Sequence, residues 1–505
     1  MQDIKARLTR ASLWITATRG FANIVTAVST VVAARLLVPA DFGLVAIAAS
    51  IIAVLAAIAE SSTSSAIIQL KEPTEDHYHT AWTLGLARGA ALALFVAAIA
   101  HPVSLLYREP RLESVMYALA ASPLILGLVN PRIFLLQKQL IFRQVFFINL
   151  SQTIVSVVVS ISFAVLFRNY WALVAGTLSG QLANVLASYL LFPFRPRPGW
   201  KHVRELWGFS IWLSLGQVIT TVNLRFDQLL IGGFLGRTTL GHYSVGENLA
   251  VIPTREAVHP LFQTLFPAYS LISGDPLRLR GAFQRTQTLL TAISLPAGVG
   301  FALIADPFVR LTMGAKWAPA IIVIQVISCL YAAQSIGRLA NPLAMAKNAT
   351  RLLFKRSVQL FCIRVPLIAT GMFLGGLPGV LIGRAIFGTT AIIVNLRMIR
   401  SLIDLPIRDQ LGANLRPIAS VLLMTATVSG VKALRPAPFA AIDSIVTILL
   451  ALVVGAATYF GTMLLLWTAQ GRPSGPETEA IALLRQLARR LTGSSVAEQA
   501  REKPE

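Results

Sequence analysis

The sequence predicts an all-α polytopic membrane protein of about fourteen transmembrane helices, and three observations carry that prediction. Of the 505 residues, 55% are hydrophobic and 13% charged, whereas a soluble domain is roughly 25% charged. Apolar runs of at least the ~20 residues that cross a bilayer recur along the whole chain. The second half also repeats the first. Leu240-Gly241, Leu235 and Trp212 fall on Phe42-Gly43, Leu37 and Trp14 at one offset of 198 residues. With small gaps, Asp306-Pro307 matches His101-Pro102, Asn341-Pro342 matches Asn130-Pro131, and Gly379 and Gly383 match Gly176 and Gly180. A repeat this long is half a molecule, as in transporters built from two related bundles.

The runs are 12–36, 42–68, 81–106, 112–137, 144–167, 170–193, 207–235, 241–268, 283–305, 317–346, 353–374, 378–400, 413–434 and 442–468. Turn chemistry separates them at Pro39-Ala40-Asp41, Pro193 to Gly199, Gly274-Asp275-Pro276 and Gly375-Gly376-Leu377-Pro378. The seam between the eighth and ninth runs is the least sharp, because Pro253, Pro260 and Pro267 crowd one segment. The resulting organisation is an N-lobe over 1–194, a linker over 195–206, a C-lobe over 207–402, two extra helices over 403–469 and a tail over 470–505. In the tail, Ile481, Leu484, Leu487 and Leu491 form one face flanked by Arg485, Arg489 and Arg490. That pattern predicts an interfacial helix on anionic lipid, preceded by a capping box at Ser474 and Glu477.

Charge placement orients the chain. With the N-terminus inside, 27 Lys and Arg fall in inside segments and 9 in outside loops, a bias that places both termini in the cytoplasm. The same bias accounts for the net charge of +22 without nucleic acid. The N-terminus is no cleavable signal, since its apolar run is long and carries Arg19. Cys329 and Cys362 lie in apolar runs and suggest no disulfide framework.

The other 8 of the 44 basic residues are arginines inside spans: Arg19, Arg88, Arg132, Arg225, Arg255, Arg338, Arg364 and Arg384. Each costs roughly 2.5–3.5 kcal/mol at mid-helix, so lipid-facing placement of all eight would cost on the order of 20 kcal/mol. Arg88, Arg132 and Arg384 lie about two turns from a span end and are expected to snorkel. Arg225, Arg255, Arg338 and Arg364 lie deeper, and a wet internal cavity is expected around them. Pairing with the span acids Asp227, Glu247 and Glu256 is the alternative. In the first span Ser12, Thr16, Arg19, Asn23, Thr26 and Thr30 recur every 3 or 4 residues, a polar stripe on one helix face. Glu60 opens a Ser/Thr run at the inner end of the second span.

Catalytic signatures are missing from the sequence: there is no phosphate-binding G-x-x-x-x-G-K, no H-E-x-x-H and no G-x-S-x-G. His77 and His79, two apart, share a face only in an extended segment and are not assigned a metal. No cofactor is expected. These absences favour moving a substrate over converting it.

The segments V-P-A-D-F-G-L-V-A (38–46), R-F-D-Q-L-L-I-G-G-F-L-G (225–236) and L-G-H-Y-S-V (240–245) resemble the polysaccharide flippases of the multidrug/oligosaccharidyl-lipid/polysaccharide exporter superfamily. The likeness is greatest to the branch handling lipopolysaccharide, exopolysaccharide and colanic-acid repeat units. It implies two lobes in a V, alternating access, a cationic cavity, and an undecaprenyl-diphosphate-linked oligosaccharide as substrate in the bacterial cytoplasmic membrane. It further implies coupling to Na⁺, H⁺ or membrane potential, for which Asp227, Glu60, Glu247 and Glu256 are the candidate carboxylates. Membrane lipids and polysaccharide polymerase or assembly proteins are the implied partners, and nucleic acid is not one. Arg19, Asn23, Arg225, Arg255, Arg338 and Arg364 are the residues expected to line the headgroup path. A peptidoglycan-precursor flippase and a small-molecule antiporter of the same superfamily are the alternatives. The excess of span arginines over acids speaks against the antiporter, whose substrates are usually cations. A sugar polymerase would be expected to carry a long outside loop, and the outside loops here are short.

Overall fold

The computed structural model describes residues 20, 25–59, 67, 70, 73–138, 142–207, 211–434, 441–472 and 477. These residues are helical nearly throughout, and no strand occurs among them. In chain order the helices are α1 (Val25–Leu36), then α2 (Pro39–Ala59), α3 (Glu75–Leu106), α4 (Pro110–Leu119), α5 (Ala121–Gly127), α6 (Ile133–Lys138), α7 (Phe142–Phe167), α8 (Trp171–Leu191) and α9 (Val203–Trp207). The second half holds α10 (Ile211–Phe234), α11 (Gly236–Leu271), α12 (Pro276–Thr312), α13 (Ala318–Gln334), α14 (Ala340–Ala346), α15 (Thr350–Ile403), α16 (Ile407–Gly412), α17 (Leu415–Ala433) and α18 (Ala441–Ala469). Among the described residues, seven helical stretches are long and apolar enough to cross a membrane. Others, such as α8, α10 and α17, have the length but carry more polar residues.

The protein is therefore a multi-pass helical membrane protein, and its breaks fall at the turn chemistry. α15 is two antiparallel helices joined at Gly375 (φ −148°, ψ 19°) and Gly376 (φ 56°, ψ −136°), the latter a conformation that side chains with a Cβ avoid. The fourth predicted span is interrupted at Asn130-Pro131, where proline removes a backbone donor. The Asn130 amide there donates to the carbonyls of Ser188 (3.2 Å) and Phe192 (2.7 Å). The tenth span breaks through a 3₁₀ turn at Ser335–Gly337, just before the matching Asn341-Pro342. Across the blurred seam the chain stays helical: α11 runs through Pro253, Pro260 and Pro267 to Leu271.

The matched glycines do matching work. Gly176 and Gly180 seat α8 against Ser160 and Ser156 of α7. Gly379 and Gly383 seat the second arm of α15 against the backbone of Gly371 and Leu367 in the first. Without a hydrophobic drive between helices in lipid, such close backbone approach is what packs them.

The contacts divide the chain into two compact units: Met1–Ile252 with Phe308–Ile327 and Thr350–Gly388, and Pro253–Pro307 with Ser328–Ala349 and Thr389–Glu505. In the first, the end of α1 is tied down by Trp317, whose indole donates to the carbonyl of Ala34 (2.8 Å), and by Lys316, whose ammonium donates to Leu37 (2.6 Å). The segment between α8 and α9 is strapped along α3: the Gly199 amide donates to Thr83 Oγ1 (2.9 Å) and the Arg197 amide to His79 Nδ1 (3.2 Å). In the second unit, Leu295, Ala332, Val421, Met424, Val428 and Tyr459 form one apolar core.

Candidate functional site

The first unit buries a charge cluster at the centre of the stretch from 225 to 247. Asp227 on α10 is 1% exposed and accepts four hydrogen bonds. Arg364 grips it in two-pronged fashion, Nη2–Oδ2 at 2.8 Å and Nε–Oδ1 at 3.3 Å. The Tyr243 hydroxyl donates at 2.9 Å, and Arg384 Nη1 donates to the same carboxylate. Arg384 Nη2 continues to Glu247 at 3.1 Å, and the Arg364 guanidinium lies 5.3 Å from the centre of the Phe387 ring.

Both arginines come from the α15 hairpin, one per arm. The arms pair as Gly371 with Gly379 and Leu367 with Gly383, so positions 364 and 384 sit within two residues of equal depth, about 3 Å along a helix. The turn at Gly375-Gly376 thus delivers two guanidinium groups to one acid. This corrects the snorkelling expectation for Arg384, which is buried and bonded to two carboxylates. It also puts Arg364 in a closed ion pair. Arg132, by contrast, meets Glu75 and the carbonyl of Pro193 at a helix end and is partly exposed.

A polar relay leads out of the cluster. Gln228 donates to Glu247 (3.4 Å) and accepts from Ser50 (2.7 Å) and from Arg225 Nη1 (3.1 Å). Arg225 and Gln228 line a cavity of about 430 Å³, whose other polar walls include Ser29, Gln152, Ser156 and Asn248. The described end of the first-span stripe, Thr26 and Thr30, faces this cavity as well. Asp227 and Glu247 are matched by Arg364 and Arg384, and among the described residues no carboxylate pairs with Arg225. Among the described residues the cavity wall therefore carries a guanidinium with no carboxylate partner, set among hydroxyls and amides, a setting that attracts an anion bearing many hydroxyl groups.

Of the residues expected on the sequence, Asp227, Glu247, Arg225 and Arg364 come together here. Arg255 and Arg338 belong to the second unit. Arg19, Asn23 and Glu60, the side chain of Glu256, and the tail helix lie outside the described residues. Sequence reasoning missed Tyr243, Gln228 and Ser50. Gln228 directly follows Asp227, and Tyr243 lies 16 residues on, across the break at Leu235 near the start of the next helix, both on spans already marked by the repeat.

A second polar cluster joins α3 to α9. His77 and His202 stack face to face, ring centres 3.7 Å apart, and both bond Glu205 Oε2, at 3.3 Å and 3.1 Å. One ligand atom from each lies within 4.8 Å of the others. The partner of His77 is thus His202, not His79. His77 Nδ1 accepts from the Thr74 backbone amide (3.2 Å), so in the neutral ring Nε2 carries the proton and donates to Glu205. A metal on Nε2 would require the other tautomer and would break that helix cap.

Comparison with known proteins fits this architecture. The model of the family described as "Polysaccharide biosynthesis protein" matches residues 32–322. The lipopolysaccharide biosynthesis protein WzxC of Escherichia coli (strain K12) is 26% identical over 70% of this chain and 73% of its own. The succinoglycan biosynthesis transport protein ExoT of Rhizobium meliloti (strain 1021) is 26% identical over 58% of this chain and 59% of its own. Among solved structures, the lipid II flippase MurJ in an inward closed conformation superposes with a TM-score of 0.74 at 14% identity, covering 91% of this chain and all of that one. An inward-facing multidrug transporter of the MATE family superposes with a TM-score of 0.59 at 13% identity, over 75% of this chain and 95% of its own. With more than half of its length inside the family model and the fold of known flippases and exporters, the chain belongs to the polysaccharide biosynthesis protein family.

Proposed function

We propose that the protein flips undecaprenyl-diphosphate-linked oligosaccharide repeat units from the inner to the outer leaflet of the cytoplasmic membrane, for surface or exopolysaccharide assembly. One observation supports this above the rest: Arg225, anchored by Gln228 but paired with no described carboxylate, faces a polar cavity in the middle of an apolar chain. A diphosphate cannot enter hydrocarbon. A guanidinium offers it planar paired donors, and serine, threonine and amide side chains offer bonds to sugar hydroxyls. The relatives named for lipopolysaccharide and succinoglycan biosynthesis point to the same substrate class.

In this reading the N-lobe over 1–194 and the C-lobe over 207–402 rock to alternate access, while the polyprenyl tail stays in lipid. Arg19, Asn23, Arg255 and Arg338 extend the headgroup path, and both termini lie in the cytoplasm. The Asp227–Arg364–Arg384–Glu247 cluster fixes α10, α11 and the α15 hairpin as one body. Its carboxylates are the place where a Na⁺ or a proton would couple, by competing with a guanidinium. An outward-moving anion gains about 2.3 kcal/mol per charge per 100 mV of inside-negative potential.

The test is a flipping assay with purified protein in liposomes, using defined lipid-linked sugars and the lipid-linked peptidoglycan precursor as control. Arg225→Ala should reduce flipping at least tenfold with unchanged melting temperature, and Arg225→Lys should recover part of it. Equal flipping by wild type and Arg225→Ala would overturn the assignment of the cavity. Faster transport of the peptidoglycan precursor would overturn the substrate class.

A further inference from the structure

The second unit contains a basic cavity that the transport reading does not use. It measures about 590 Å³ and lies between the first turns of α12 and the α16–α17 corner. Arg285, Arg408 and Arg416 converge on it, with Gln284, Thr288 and Asp409 on its walls. Arg416 is neutralised by Glu477 at 2.8 Å. Among the described residues neither Arg285 nor Arg408 has an ion-pair partner, so with Asp409 counted the cavity retains an excess positive charge. Its floor is left open by two glycines: a Cβ added at Gly281 or Gly412 would meet nothing within 4 Å. The volume falls in the ~300–1,000 Å³ range of cavities that enclose small ligands.

The position within the helices says what kind of ligand. α12 begins with Arg278, Arg280 and Arg285 and becomes apolar beyond them, and α17 becomes apolar after Arg416. Leu277, one helical turn before Gly281, and Leu411 and Leu415, next in sequence to Gly412 and Arg416, are exposed. A basic cavity with exposed leucines close by in sequence, at the polar end of two largely apolar helices, has the chemistry of the headgroup region, where phosphate oxygens meet acyl chains.

We propose that this cavity binds the phosphate group of a membrane lipid, a phosphodiester or a polyprenyl diphosphate, with Arg285 and Arg408 as its principal ligands and the acyl or prenyl chain leaving past Leu411 and Leu415. The site stands independently of the cavity beside Arg225. It can be occupied whether or not that cavity carries substrate.

Native mass spectrometry of the detergent-purified full-length protein tests it, after incubation with phosphatidylglycerol or cardiolipin against phosphatidylcholine. Wild type should retain the anionic lipid in preference. Arg285→Ala with Arg408→Ala should reduce retention at least tenfold. Gly412→Phe keeps every charge and fills the open floor, and it should reduce retention similarly with an unchanged melting temperature. Displacement by a polyprenyl diphosphate identifies the transported lipid as the occupant and supports the site, whereas displacement by inorganic pyrophosphate but not by a polyprenyl diphosphate overturns the lipid assignment. Equal retention of phosphatidylcholine by wild type, or full retention by both variants, overturns it. Liposome flipping measured on the same variants separates this result from the Arg225 test.

Discussion

Gly43 and Gly241 occupy equivalent positions in the two repeats and pack on each other's segments in the same way. A Cβ on Gly43 would stand 1.7 Å from the carbonyl oxygen of Arg237, and a Cβ on Gly241 would stand 1.8 Å from that of Pro39. Pro39 and Arg237 are themselves related by the 198-residue offset. This is the reciprocity of a two-fold axis, in which position i touches j and j touches i. The duplication seen in sequence is therefore also a self-complementary contact between the starts of α2 and α11.

Substitution should open that contact from either side. Gly43→Val and Gly241→Val both place atoms inside a backbone carbonyl, which no change of rotamer relieves, and overpacking of this kind costs about 1–3 kcal/mol. The two variants should lower the melting temperature by similar amounts and raise thiol labelling of a cysteine introduced at Ala40. Gly300→Val, where a Cβ meets nothing within 4 Å, should do neither. A large loss from one glycine and none from the other would remove the two-fold reading.

Removing Asp227 alone should cost more than removing it together with Arg364. Asp227→Asn leaves two buried guanidinium groups, Arg364 and Arg384, without the carboxylate that both bond. Breaking one partner out of a buried pair typically costs about 3–5 kcal/mol. Asp227→Asn combined with Arg364→Gln removes one charge of each sign and should restore much of the thermal stability. A double-mutant cycle on melting curves in detergent checks this, and additive losses would count against the ion pair.

How far the site could be read from sequence follows from which distances a sequence reports. Spans were legible because apolar length is local, and the Gly375-Gly376 turn because proline and glycine chemistry is local. Depth below a span end is also local, and it placed Arg384 near an interface. Burial is not local: the partners of Arg384 lie 157 and 137 residues away, at Asp227 and Glu247. One signal was available. Arg364 and Arg384 flank a tight glycine turn at nearly equal distances, and Gly379 and Gly383 on the same arm announce close packing. Two cations held at one depth by a tight hairpin require an acid between them, and the spans offer only four, Glu60, Asp227, Glu247 and Glu256.

The hairpin turn is a second place where one methyl group should matter. Gly376 holds φ 56° and ψ −136°, a region that is costly for any residue with a Cβ, by roughly 1–3 kcal/mol. Gly376→Ala should destabilise the protein by about that amount. It should also weaken the Asp227 cluster, because the two arms carry its arginines. Gly375→Ala, at φ −148° with nothing within 4 Å of the added carbon, should be nearly neutral. Parallel melting curves of the two variants decide it, and equal losses would contradict a conformational origin.

Glu205 should give the strap between α8 and α9 a defined response to acid. Hydrogen bonds from His202, and next from His77, hold its carboxyl below the usual carboxylate range. A carboxyl whose folded value is depressed stabilises the fold above its unfolded value of about 4.3 and loses that contribution as pH falls through the lower, folded value. From pH 8 to 5.5 the group stays ionised, and the strap should keep its hydrogen-exchange protection on this account. Below about pH 4.3 that contribution should decline, and once pH falls through the lower, folded value protonation should release the carboxyl from both rings and accelerate exchange over 195–205. Glu205→Gln removes the charge at every pH and should show the fast exchange already at pH 7. If that variant exchanges like wild type at pH 7, the stacked pair His77 and His202 holds the strap without the carboxylate.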